Sequence, residues 1–413
     1  MRLACYGWVD AEAGSVGSAN FLLLRELLAR GVEVDFFANE DHVPRPPGLN
    51  DSRFHYLGVR PPRPYRSLPP RMQQVINWVL EPMVRRAWGR IYGPIVSERR
   101  RQGGDYEAVL SLGTPPAFEI AGVPTVTWLQ GPPTAEIDAI RRLRAQIVSS
   151  DGTAFWRALV HLYSYRLAVS RGALRLSDRL ICGSSWARDL MIADGLPASK
   201  IEVLPYPVDL DLFRPEPMRR LDSTRPTILW LGRVDPRKRL DLLVSAFDLV
   251  LGSHPGAHLR IVGRPGYGRR PLHPIERSPH RARITYERWI PRSAVPSALR
   301  SSSLLVQTSE NENFGSSVAE ALACGVPVVV GARNGTSEYV DGGCSVFERY
   351  TPDAVASAIS ATLSAQMTDA NSISRRVRAA AVQQFAPRVI TDRLLKILSA
   401  ARAEARTPVP SNE

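Results

Sequence analysis

The chain has 413 residues, of which 44% are hydrophobic and 23% charged. That length allows two or three domains with cores of their own, and the balance excludes a fibre, a disordered chain and a disulfide-stapled mini-protein. A net charge of +13 leaves three kinds of partner open: nucleic acid, an anionic membrane surface, or phosphorylated small molecules.

From its amino end the chain reads as a strand, MRLACYGW, without the basic start, apolar stretch and cleavage site of a signal peptide. Further strands are predicted at Val32–Phe37, Ala108–Leu112, Thr125–Leu129, Arg179–Cys182 and Ile201–Leu204, after a first one at Arg2–Tyr6. Helical spacing lies between them at Ser18–Arg30, Phe155–Leu174 and Trp186–Asp194, the middle one following a polar break at Ser149–Gly152. The proline- and charge-rich stretch Pro205–Arg225 then interrupts the rhythm. It resumes with strands at Thr227–Leu231, Leu259–Val262, Ile284–Tyr286, Leu304–Gln307 and Val328–Val330. Helices are predicted there at Leu240–Leu251, Ser293–Arg300, Ser316–Ala323, Pro352–Ser364 and Ser374–Ala400. Short apolar strands alternating with amphipathic helices predict an α/β protein with parallel sheets covered on both faces. Two such runs predict two doubly wound, Rossmann-like domains facing across a cleft, residues 1–205 and 206–375. A last helix, 376–400, is expected to pack back on the first domain, and 401–413 to form a flexible tail. No run of 18 apolar residues suggests a transmembrane helix. Four widely spaced cysteines (Cys5, Cys182, Cys324, Cys344) form no metal pattern and read as reduced thiols of a cytoplasmic protein.

Three segments carry the chemistry. In TSENENFGSSVAEALACG an apolar strand enters a polar loop, Gly315 permits a turn, and Ser316 or Ser317 is expected to cap a helix that includes Val318. Glu312 in the loop and Glu320 in the helix are eight positions apart, and carboxylates at a strand's carboxyl end suit paired hydroxyls of a ribose or hexose. In LWLGRVDPRKRLDLLV, Arg233 and Lys238 flank the loop after a strand, where two cations neutralise a diphosphate. Lys238 is one of three lysines in an arginine-rich chain, while Arg237 and Arg239 are expected to be solvated. After the first strand, Gly14 and Gly17 allow close approach of backbone to a ligand, although GxxG falls short of the full dinucleotide fingerprint.

The chain resembles family 4 glycosyltransferases, which have the two-Rossmann-domain fold called GT-B. The resemblance rests on LGRVDPRKRLDLLVSAF, LRIVGR, SENENFGSSVAEALACGVPVVV and NGTSEYVDGG, with ICGSSWARDLMIADGLPASKIEVLPYPVDLDLF as the link between domains. It implies a retaining hexosyltransferase that takes mannose or glucose from a nucleotide sugar to a saccharide or lipid-linked acceptor, in polysaccharide or glycolipid synthesis. It implies that residues 1–205 bind the acceptor and 206–375 the donor. In such a site Glu312 contacts the transferred sugar and Glu320 the donor ribose. Arg233 and Lys238 hold the diphosphate beside the amides around Gly14–Gly17 and Gly315–Val318. Many members carry a histidine where this chain has Gln130, which can hydrogen-bond a sugar but cannot act as a base. Pro207 stands where the family usually has glycine and stiffens the hinge. Asp209-Leu-Asp211 spells a DxD metal motif, but no further carboxylates accompany it, so it reads as linker structure and no metal or other cofactor is expected.

The segment 68–101 (LPPRMQQVINWVLEPMVRRAWGRIYGPIVSERRR) has apolar residues at helical spacing and many arginines. It fits either a core-packed helix with a solvated basic face, kinked at Pro82 or Gly89, or peripheral contact with the inner face of an anionic membrane. Scattered basic residues without any nucleic-acid motif argue against nucleic acid. The alternatives to a transferase are a catalytically weak nucleotide-binding protein and a sugar-nucleotide epimerase of the same fold.

Overall fold

Short apolar strands, flanked by amphipathic helices, bury both faces in parallel sheets. The computed structural model contains two. It describes all residues except 15, 61–62, 70–71, 74–75, 77–79, 114–117, 130, 132, 143–158, 160–175, 217–221, 223, 266–271 and 407–413. The first sheet comprises β1 (Arg2–Gly7), β2 (Glu33–Asn39), β3 (Phe54–Val59), β4 (Ala108–Leu112), β5 (Thr125–Trp128), β6 (Arg179–Cys182) and β7 (Ile201–Val203), in the order β3-β2-β1-β4-β5-β6-β7. The second comprises β8 (Thr227–Leu231), β9 (His258–Val262), β10 (Ile284–Glu287), β11 (Leu304–Gln307), β12 (Val328–Gly331) and β13 (Ser345–Phe347), in the order β10-β9-β8-β11-β12-β13. Every pairing is parallel; Cys5, for example, lies opposite both Phe36 and Leu110. Strand order reverses between β1 and β4 and between β8 and β11, and these are the points where such sheets bind ligands. The fold class read from the sequence is therefore the observed one. Two edge strands, β3 and β13, escape prediction because neither is an apolar run buried on both faces.

The helices that matter here are α1 (Val16–Ala29), α2 (Glu81–Gly103), α3 (Pro133–Arg142), α4 (Ser185–Ala193), α5 (Leu240–Val250), α6 (Ser316–Ala323), α7 (Pro352–Phe385) and α8 (Pro387–Arg406). Local chemistry sets several of their starts. Ser184 caps α4 by accepting from the Ala187 amide, and Thr351 caps α7 with Pro352 behind it. The expected single helix 374–400 is broken at Ala386, which adopts an extended conformation before Pro387. α8 continues to Arg406 and buries Ala401, so 401–406 is helix rather than tail. It lies against the first unit, where Arg30 bonds both Asp392 and the Arg388 carbonyl, and Arg402 reaches the Gly122 carbonyl.

In the segment 68–101, Met72, Gln73 and Ile76 are already helical, and a further helix runs from Glu81 with Pro82 in its first turn rather than at a kink. α2 turns Trp88, Tyr92 and Val96 into a core with Phe37, Tyr106 and Phe118, leaving Met83 66% exposed. Its aromatic stripe therefore serves packing. Among the described residues no helix is long and apolar enough to cross a membrane. The helix expected at Phe155–Leu174 lies outside the described residues. One aromatic chain crosses from the first sheet to the second: Trp128 stacks on Tyr206 at 5.5 Å, Tyr206 meets Phe314 edge-on at 5.3 Å, and Phe314 meets Phe385 at 5.4 Å.

Candidate active site

The loops after β1, β8 and β11 leave the sheets beside the two reversal points. They converge on one cleft of ≈ 770 Å³, within the range of small-molecule sites. Of the residues singled out in the sequence, Glu312, Glu320, Arg233, Lys238, Gly14, Gly315, Ser316 and Ser317 line it. Gly17 and Val318 do not, and Gln130 lies outside the described residues.

Glu312 is held from both sides. Its amide donates to the Arg333 carbonyl at 2.9 Å and its carbonyl accepts from the Gly335 amide at 2.8 Å. Its carboxylate accepts from Lys238 Nζ and, at 3.3 Å, from Arg237. Burial pushes against ionisation, but Lys238 and Arg237 outweigh it and bring the Glu312 pKa down to about 2. A carboxylate whose folded pKa is depressed stabilises the protein above its ordinary pKa of about 4.3, and that stability is lost as pH falls through the folded value. Glu312→Gln is therefore expected to melt below the wild type at pH 6. The gap should close between pH ~4.3 and ~2. A gap independent of pH in thermal melts would remove the ion pair from the account.

Glu320 is 7% exposed in the first turns of α6, and its Oε1 accepts from Arg292 at 3.0 Å. Burial raises its pKa, with Arg292 opposing. Arg292 in turn lies over the Phe213 ring at 5.2 Å. α6 starts differently from expectation. Gly315 itself is the N-cap at φ 84°, where a Cβ would stand 2.3 Å from Asn334 Oδ1, so neither serine caps the helix. Ser317 instead accepts from Gln307 Nε2 at 3.0 Å, which also donates to the Leu231 carbonyl and so ties α6 to the end of β8. The Val318 amide donates to the Gly315 carbonyl and its side chain is fully buried, so it offers a ligand nothing.

The loop after β8 makes a 3₁₀ turn over Pro236–Lys238. Arg233 donates to the buried Asp235 at 2.9 Å and is 58% exposed at the cleft. Arg237, expected to be solvated, is 15% exposed, lines the cleft and donates to the Asn311 carbonyl and Glu312. Arg239 is equally turned in: it takes a left-handed backbone (φ 52°) at the start of α5 and pairs with Asp241 and Glu310. Sequence reasoning missed Arg237 because a basic run suggests a wet loop, whereas the tight turn against Asp235 folds it inward. It missed Arg292 because the partner lies 28 residues away. It also missed Asn311 and Asn313, which fasten this loop to the first unit. Asn311 donates to the Ala135 carbonyl at 2.5 Å, and Asn313 accepts from the Gly183 amide and donates to Tyr206.

On the other wall Gly14 faces the cleft, while Gly17 sits in the first turn of α1. A Cβ at Gly17 would come within 3.2 Å of the Ala13 Cβ and 3.3 Å of both the Asp10 carbonyl oxygen and the Trp8 indole, so a side chain here would crowd all three. Within the DxD pair, the Asp209 carboxylate accepts from the Asp211 and Leu212 amides. Among the described residues, Glu33, Asp35 and His55 come close enough together to suggest a metal. Asp35, however, is fully buried and already bonded by Arg2, Arg99 and Tyr106.

Residues 216–380 match the family model for glycosyl transferases group 1. Over 196 residues the chain is 30% identical to a GDP-mannose-dependent alpha-(1-6)-phosphatidylinositol monomannoside mannosyltransferase of Mycobacterium tuberculosis, covering 42% of this chain and 50% of that one. The chain thus spans about half the length of this curated relative. Its architecture is similar to that of sucrose-phosphate synthase from Thermosynechococcus elongatus (TM-score 0.71, 18% identity, 98% and 100% of the two chains). It is also similar to Anabaena Alr3699/HepE, solved with UDP and glucose (TM-score 0.62, 18% identity, 97% and 100%). At these identities the likeness is one of fold.

Proposed function

We propose that this chain, which carries a group 1 glycosyltransferase domain at residues 216–380, transfers a hexose of mannose or glucose type from a nucleoside diphosphate sugar to a hydroxyl of a saccharide or lipid-linked acceptor. The observation that carries the reading is the meeting of two carboxylates, the half-buried Glu312 and the buried Glu320, with Arg233, Arg237, Lys238 and Arg292 in one cleft at the reversal points of both sheets. In this reading Glu320 accepts the ribose hydroxyls, and the diphosphate draws Lys238 and Arg237 away from Glu312. The freed Glu312 carboxylate then accepts hydroxyls of the transferred hexose. Fixed cations stabilise the negative charge that grows on the departing phosphate, so the reaction as proposed needs no resident metal.

The bond from the anomeric carbon to the phosphate oxygen breaks, and a bond to the acceptor oxygen forms on the same face. The acceptor proton passes to the departing phosphate oxygen.

Glu320→Ala tests the donor half. Hydrogen bonds to a charged group are worth ~1.5–3 kcal/mol each, so nucleoside diphosphate affinity should fall at least tenfold. Calorimetric titration with UDP and GDP reads this, and unchanged affinity in a folded variant would take Glu320 out of the donor site. Release of nucleoside diphosphate from a panel of nucleotide sugars then tests transfer.

A further inference from the structure

The two walls of the cleft differ in chemistry. Among the described residues, its arginines and its lysine come from the second unit: Arg233, Arg237, Lys238, Arg264 and Arg292. The wall supplied by the first unit presents, among the described residues, Trp8, Glu12, Trp186 and small residues, with no cation. Its charge is negative where the opposite wall is positive.

Trp8 is a large apolar side chain left 38% exposed. Its position is built rather than accidental. The Trp8 carbonyl accepts from the buried Asn20 at 2.8 Å, which fixes the backbone, and Gly17 leaves room for the indole against α1. Asp10 accepts from the Glu12 and Ala13 amides at 2.9 and 3.2 Å, and this turn sets the backbone that carries Glu12 at the cleft. An indole face beside a carboxylate suits the C–H face and hydroxyls of a sugar ring. Among the described residues, this wall offers a phosphate a carboxylate and no cation.

We infer that the first unit's wall is a subsite for a neutral, unphosphorylated sugar ring of the acceptor, stacked on Trp8 with a hydroxyl donated to Glu12. This rests on the transferase reading above and deepens it. The accepting group is then a glycan hydroxyl, and the negative charge in the complex belongs to the donor alone.

The test uses the full chain and neutral probes: methyl α-mannoside, methyl α-glucoside, methyl β-galactoside and their α-linked disaccharides, against myo-inositol phosphate. Saturation-transfer NMR in saturating UDP or GDP reads binding. At least one neutral glycoside is expected to bind in the millimolar range. Trp8→Ala should weaken it tenfold or more and Trp8→Phe severalfold. Glu12→Gln, on an exposed side chain that no fold contact requires, should weaken it severalfold with an unchanged melting temperature. No signal from any neutral glycoside, or a signal indifferent to both Trp8→Ala and Glu12→Gln, overturns the inference. Stronger binding of the inositol phosphate than of every glycoside does so too. The nucleotide thermal shift of the wild type is read separately. If it is absent while glycosides bind, the donor reading fails and the subsite stands; if it is present without glycoside binding, the reverse holds.

Discussion

Lys238→Ala is expected to lower turnover by about 10²–10³-fold at saturating donor, the loss typical of removing one preorganised donor from a developing negative charge. The same change strands Glu312, which Lys238 and Arg237 jointly hold ionised in a mostly buried place. Removing one partner of a buried pair can cost ~3–5 kcal/mol, and Arg237 at 3.3 Å should keep the loss at or below the lower end. The two effects separate in a double variant. Lys238→Ala with Glu312→Ala removes the stranded charge, so the melting temperature should recover while turnover stays low. Turnover within twofold of wild type in the single variant would show that the lysine does nothing for the leaving group.

Arg378→Met should cost roughly 2–4 kcal/mol of stability, since its guanidinium makes several charge-assisted hydrogen bonds that water does not replace. On α7, Arg378 donates to the carbonyls of Phe213 at 2.6 Å, Ala323 at 2.7 Å and Leu210 at 3.1 Å. Two of these belong to the crossing between the units, and the third ends α6. A cation there also favours the negative end of the α6 dipole. The other end of α6 carries Gly315 and Ser316 into the cleft, with Glu320 about one turn on, so nucleotide affinity should drop together with stability. Urea unfolding and nucleotide titration check both, and wild-type values for either would leave the three carbonyls as bystanders.

What could be read in advance follows from the range of the interactions. Strands such as Ala108–Leu112 and Leu304–Gln307 are apolar because both faces are covered, so their composition alone locates them. Glu312 and Glu320 share one loop and helix, and their spacing survives folding intact. Arg292 finds Glu320 only after a helix and a strand intervene, and Asn311 finds Ala135 only across the two units. No local pattern announces either. The serine cap failed for a subtler reason: Gly315 can take the left-handed geometry that starts α6 unaided. The packing of Gly17 near Trp8 was not legible, because a glycine that admits a ligand and one that admits an indole look alike in sequence.

The return of α8 to the first unit bears on how the protein is made. Leu394, Leu398 and Ala401 are buried in the same core as Leu3 and Leu24, yet they are synthesised after the whole second sheet. At ~5–20 residues per second, the ribosome needs roughly 10–40 s to pass from β7 to the end of α8. During that interval the nascent first sheet stands complete in its strands but bare where α8 will lie. The second unit has that time to fold before α8 covers the first.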